Sequence, residues 1–140
     1  MRTSYTPQDV RLLLKDVSQK IAPEDTLTRE KKIQSGTHYS EMLPLEYQPS
    51  PEYLALYEEA LALNGAKTAQ AVRVVAEKIA QEKSGDIVLV SLARAGLPVG
   101  ILLKHYLERF LHRNVYHYGV SIIRGRGIDH QAMQSILERH

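Results

Sequence analysis

Three short segments of this sequence carry residue types and spacings that could do chemistry. The first is Ser91-Leu92-Ala93-Arg94-Ala95-Gly96-Leu97-Pro98. Small residues there let backbone N–H groups approach an anion, a following helix would add partial positive charge at its start, and Arg94 offers a two-pronged donor to an anion. The same spacing also fits a plain strand-to-helix turn. The second is Arg124-Gly125-Arg126-Gly127-Ile128-Asp129, two arginines alternating with two glycines. It reads as a mobile loop that brings guanidinium groups onto a polyanion, or as an exposed basic turn or an RNA-contacting segment. The third is Gly36-Thr37-His38-Tyr39-Ser40-Glu41. A nucleophile, base and acid drawn from distant segments would be expected to converge, so these neighbours are read as hydrogen bonds that pin a loop.

The other histidines give no ligand spacing. His105 and His112 stand seven apart, and His117 sits among tyrosines. With no Cys, a disulfide framework and a cysteine nucleophile within these residues are excluded, and with no HExxH or Cys/His spacing a zinc site is not expected.

These segments need elements to hold them. Ile87-Val88-Leu89-Val90 is a continuous apolar, β-branched run and predicts a central strand buried on both faces. The helix after Pro98 should bury Val99, Leu102, Leu103, Tyr106, Leu107 and Phe110. A second strand is expected over Val115 to Ile123, and Asp129 should cap a last helix carrying Met133, Ile136 and Leu137. Strand, helix, strand is the βαβ unit of an α/β sheet. Upstream, Thr6-Pro7-Gln8-Asp9 followed by Val10, Leu13, Leu14 and Val17 predicts a short amphipathic helix. Residues 19–50 lose all periodicity and read as a long irregular, docked segment. Ser50-Pro51-Glu52 opens a helix that Asn64-Gly65 should end, with another from about Thr68 to Lys83 whose buried face is Val72, Val75, Ala76, Ile79 and Ala80.

The whole sequence bounds these readings. It has 140 residues, 44% hydrophobic and 24% charged, with a net charge of +2. That is globular composition, without the strong basic excess of a dedicated nucleic-acid binder. The opening Met1-Arg2-Thr3-Ser4-Tyr5 has no apolar core of a signal peptide, and no run is long enough to span a membrane. A cytoplasmic protein with no membrane partner is expected. Two strands make a poor sheet, so a partial, truncated fold is expected, with self-association through the Val115–Ile123 strand.

The run from Ile87 to Gly96 resembles the first strand and pyrophosphate loop of type I phosphoribosyltransferases, and Val115 to Asp129 resembles their second strand and flexible catalytic loop. Arg29-Glu30-Lys31-Lys32-Ile33-Gln34-Ser35-Gly36-Thr37-His38-Tyr39-Ser40-Glu41-Met42-Leu43-Pro44-Leu45-Glu46 is similar to the start of the StiP family, phosphoribosyltransferase-like proteins of bacterial tellurite-resistance and stress operons. The opening Ser4-Tyr5-Thr6-Pro7-Gln8-Asp9-Val10 fits the same family. The resemblance implies an N-terminal helix and hood-like segment over residues 1–49. An incomplete Rossmann-like phosphoribosyltransferase core would follow over 50–140. It implies that Ser91, Ala93, Arg94, Ala95 and Gly96 contact the pyrophosphate of phosphoribosyl pyrophosphate, that Mg²⁺ comes with that substrate, and that Arg124 and Arg126 act from the closing loop. The resemblance then implies transfer of a phosphoribosyl group, with a non-catalytic nucleotide- or RNA-binding module as the rival. The family's second signature, paired acids followed by Thr-Gly, is absent, so these 140 residues are expected to be inactive alone. Members also carry the label of cysteine protease, a chemistry this Cys-free sequence cannot house by itself.

Overall fold

The computed structural model describes residues 3–17 and 19–140; Met1 and Arg2, read above for a leader, and Ser18 lie outside the described residues. Contacts group the chain into two units, Lys15–Glu59 in one and Ala60–His140 with the opening residues through Leu14 in the other.

The larger unit is α/β. Strands β1 (Arg11–Leu12), β4 (Ile87–Leu92) and β5 (Val115–Val120) form a parallel sheet in the order β1-β5-β4. Helix α3 (Gly96–Arg109) links β4 to β5, as the βαβ pattern predicts. The β4–β5 register runs from Ile87 opposite Val115 to Leu92 opposite Val120.

The N-terminal helix is replaced by a turn and a strand. Thr6 and Asp9 do make the exchange a helix start needs: Thr6 Oγ1 donates to Asp9 Oδ2 at 2.7 Å, and the Asp9 N–H reaches Thr6 Oγ1 at 3.3 Å. The chain then leaves the helical path. Arg11 and Leu12 pair with Tyr118 and Gly119, and the Leu13 N–H donates to the Gly119 carbonyl at 2.9 Å. Val10 is buried and Arg11 exposed, the alternation of a strand. A neighbouring open strand edge satisfied the backbone better than one isolated helix of this length could.

Helix α2 (Pro51–Glu82) runs 32 residues, straight through the expected stop at Asn64-Gly65. Asn64 Nδ2 bonds back to the Ala60 carbonyl at 2.9 Å, so its side chain serves the helix and does not break it. The stop comes at Gly85, whose φ of +87° suits glycine alone. Arg113 seals that end, donating to the carbonyls of Ala80, Lys83 and Gly85 at 3.0, 2.7 and 2.6 Å. Of the expected buried face, Ala76 is buried and Ile79 and Ala80 pack beside it, while Val75 is exposed.

Strand β4 has one strand neighbour among the described residues. Leu89 packs against the Ala76–Ile87–Leu107–Val115 cluster, but Val90 and Leu92 are 39% and 40% exposed, so the doubly buried central strand is β5 instead. The face of α3 is also rotated from expectation. Leu97, Gly100, Ile101, Lys104 and Leu107 are buried; Val99, Leu102 and Phe110 are exposed. Close approach to the sheet favours a glycine and a long amphipathic stem over bulk. Lys104 lays its stem inside and donates from Nζ to the Val115 carbonyl at 2.7 Å and to Glu108.

Beyond Val120 the second strand breaks at Ser121. Strands β6 (Ile122–Ile123) and β7 (Gly127–Ile128) form an antiparallel hairpin, turned at Gly125 and Gly127, both at positive φ. Asp129 caps α4 (His130–Leu137) by accepting from the Ala132 N–H at 3.0 Å. Ala132 and Ile136 are buried against Tyr118 and Val120, and Leu137 is exposed.

In the smaller unit, the stretch read as irregular contains regular elements. Strands β2 (Pro23–Glu24) and β3 (Leu43–Pro44) pair in parallel, and α1 (Thr26–Gln34) is capped by Asp25, whose Oδ1 accepts from the Thr28 N–H at 3.0 Å. Short elements rich in polar residues leave no hydrophobic period to read. Met42 is buried.

Candidate functional site

Three distant segments converge where α3 lies on the β4–β5 pair. Ser91 and His117 sit on adjacent strands, offset diagonally: His117 opposes Leu89, and Ser91 opposes Gly119. Their side chains share a face, and His117 Nε2 lies 2.8 Å from Ser91 Oγ. His117 Nδ1 lies 2.9 Å from the backbone carbonyl of Asp9, brought in by the turn before β1. Ser91 is 9% exposed and His117 5%.

The chemistry of the partners fixes the proton. A carbonyl only accepts, so Nδ1 carries the hydrogen and donates to Asp9. Nε2 of the neutral ring is then a bare lone pair, and the Ser91 hydroxyl donates to it. Burial pushes the His117 pKa down, against the Asp9 carbonyl, which raises it. The ring is thereby held neutral at pH 7 in the tautomer that accepts a hydroxyl proton.

Gly100 makes this meeting possible. A Cβ at that position would stand 2.2 Å from Ser91 Oγ and 2.3 Å from His117 Nε2. Gly119 serves the same end, since a Cβ there would strike Leu12 and Leu97 at 2.7 and 2.8 Å. Asp9 has a second role: its Oδ1 lies 2.8 Å from His105 Nε2 on α3. The Thr6 hydroxyl and then His105 hold its carboxyl below the usual carboxylate range.

An open cleft of about 610 Å³ lies at the carboxyl end of β4. Its lining includes Ser91, Ala93, Arg94, Ala95 and Gly96, all named from the sequence, together with Gly100 and the apolar Leu89, Val99 and Leu103. Crevices at the carboxyl ends of parallel strands are where open α/β sheets bind ligands. Arg94 has φ +78°, a strained setting for a non-glycine residue. The Ala93 N–H is spent on the Val120 carbonyl at 2.7 Å, so it does not face a ligand. Arg124 and Arg126 occupy the β6–β7 turn. Ile122 of that hairpin lines the cleft; the arginines do not. His38 and Ser40 bond to each other, Nδ1 to Oγ at 2.7 Å, within one turn of 3₁₀ helix, which pins the loop locally. No group of three His, Cys, Asp or Glu that could hold a metal occurs among the described residues.

The sequence offers Ser91 through its place before the strand-to-helix turn and His117 only as a histidine among tyrosines. No local motif joins residues 26 apart, and only the strand register reveals the pair. The available signal was two polar residues inside otherwise apolar strands.

The family described as "Tellurite-like stress resistance cysteine protease StiP" matches residues 3–140. The chain is similar to a protein named "Cysteine protease StiP" from Acinetobacter baylyi, 44% identical over 138 residues. That alignment covers 98% of this chain and 35% of the relative, so the chain spans about a third of the relative's length. No solved structure matches. These names overturn the expectation of a phosphoribosyltransferase, and with it the transferase label and its nucleotide- or RNA-binding rival: family and relative alike are named as a cysteine protease. The resemblance had been carried by a strand and a glycine-bearing turn, features that many α/β proteins share whatever their chemistry.

Proposed function

Because this chain belongs to the StiP family, we propose that it forms part of a stress-resistance cysteine protease and contributes the substrate cleft, not the thiolate. The observation that carries this reading is the family match across residues 3–140 of a sequence with no cysteine. A cysteine protease needs a thiolate nucleophile. In this reading the thiolate comes from protein outside these 140 residues, and the parallel sheet with α3 across it is a Rossmann-like platform that presents the cleft. Ser91, Ala95 and Gly96 line the cleft, and Arg94 is the cationic side chain among its described lining residues, suited to a carboxylate of a peptide substrate. Arg124 and Arg126 sit on a glycine-flanked turn; Ile122 of the same hairpin lines the cleft.

The test is hydrolysis of a fluorescent casein by the protein expressed from its own gene, before and after iodoacetamide. Alkylation should abolish the activity, and these 140 residues alone should show no iodoacetamide-sensitive hydrolysis. Activity that survives alkylation undiminished would overturn the reading.

A further inference from the structure

The protease reading leaves one feature of this chain unused: a hydroxyl, an imidazole and an orienting carbonyl in hydrogen-bonded series. We propose that Ser91 and His117 form a thiol-independent acyl-transfer centre, with Ser91 Oγ as nucleophile, His117 Nε2 as general base, and the Asp9 backbone carbonyl fixing the ring. The substrate class is an apolar acyl ester or amide.

The parts stand in the order that covalent catalysis requires. The nucleophile lies within hydrogen-bond reach of the base at 2.8 Å, and the base within reach of its orienter at 2.9 Å. Burial favours the neutral ring, and the Asp9 carbonyl, accepting from Nδ1, leaves the Nε2 lone pair toward the hydroxyl. Substrate approaches from the cleft, where Ser91 is part of the lining and Leu89, Val99 and Leu103 supply apolar wall for an acyl chain. The first turn of α3 stands beside the nucleophile: a Cβ on Gly96 would lie 3.6 Å from Ser91 Cβ. No side chain caps that turn; its Leu97 N–H is spent on the Arg94 carbonyl at 3.2 Å and Pro98 has none, so the Gly96 N–H is the donor it offers to charge developing on a carbonyl oxygen.

In the reaction, Ser91 Oγ bonds to the acyl carbon while its proton passes to His117 Nε2. The bond from that carbon to the leaving oxygen or nitrogen breaks, and the leaving group takes the proton from Nε2. Water then attacks the acyl-serine, giving its proton to Nε2; the carboxylic acid departs and Ser91 recovers its proton.

The probe is an alkyl fluorophosphonate, which phosphonylates an activated serine with loss of fluoride, read by intact mass and peptide mapping of the chain. One adduct is expected, on Ser91. Ser91→Ala should lose it, and His117→Gln should slow its formation by roughly 10²-fold or more, with circular dichroism unchanged. A folded wild-type chain that takes no adduct at Ser91 overturns the proposal, whether or not the variants fold. Equal labelling in a folded His117→Gln overturns it too. Fluorophosphonate reads a hydroxyl and iodoacetamide a thiol, so failure here leaves thiol-dependent proteolysis standing, and the reverse holds.

Discussion

At the scale of single residues, Asp9, Arg94 and His117 show how much depends on context. His117 titrates below its ordinary value of 6.5 because burial disfavours the charged ring. The unfolded chain therefore takes up a proton, as pH falls through about 6.5, that the folded chain refuses. Stability should be full above that pH and decline as pH drops toward the lower folded value. Urea midpoints measured from about pH 8 down to about pH 5 should show this limb, and His117→Gln should flatten it. The Asp9 carboxyl, held low chiefly by the Thr6 hydroxyl, acts in a separate window: its contribution is present above its ordinary 3.8 and is lost only in stronger acid. Arg94 offers a different test. Its φ of +78° costs an L-residue about 1–2 kcal/mol, part of which glycine would recover. Arg94→Gly should stabilise the fold by roughly 0.5–1 kcal/mol while weakening whatever the cleft binds. A loss of stability in thermal melts would show that the side chain's own contacts outweigh the strain.

At the scale of elements, sequence signals held where one interaction dominated and failed where two competed. The β4–α3–β5 unit and the cap at Asp129 rest on strong local chemistry, and the structure has both. The turn at Thr6–Asp9 has its capping bonds too, yet the free edge of β5 drew the next residues into a strand. Asn64-Gly65 has stop-signal chemistry, but nothing lies within 4 Å of a Cβ at Gly65 and the helix passes through. Gly65→Ala should accordingly stabilise the protein by about 0.5–1 kcal/mol; destabilisation would mean the helix breaks there after all. The rotated face of α3 makes a paired prediction. Leu107 is wholly buried and Leu102 is 44% exposed. Leu107→Ala should cost about 2–5 kcal/mol and Leu102→Ala under about 1 kcal/mol. Denaturant melts that reverse this order would restore the apolar face read from the sequence, where Lys104 and Gly100 gave no hint of burial.

At the scale of the whole molecule, the candidate site was legible only in its cleft half. Ser91 to Gly96 could be placed at a strand's carboxyl end because a βαβ unit always puts its first turn there. Asp9, Ser91 and His117 could not be joined, because their meeting depends on β1 lying on β5 and on β5 lying in one register beside β4. A slip of one residue would turn His117 to the other face of the sheet. The family's identity was legible from long matching runs, while the activity inferred from fold resemblance was not, because function resides in a site and not in a platform. Among the described residues no helix is long and apolar enough to cross a membrane. The convergence of those three segments is the central claim, and imidazole ¹⁵N shifts in a histidine-labelled sample test it most directly. At pH 7 the His117 ring should be neutral, with the proton on Nδ1 and Nε2 reading as an acceptor, and it should titrate below 6.5. A proton on Nε2, or a ring already charged at pH 7, would contradict the account.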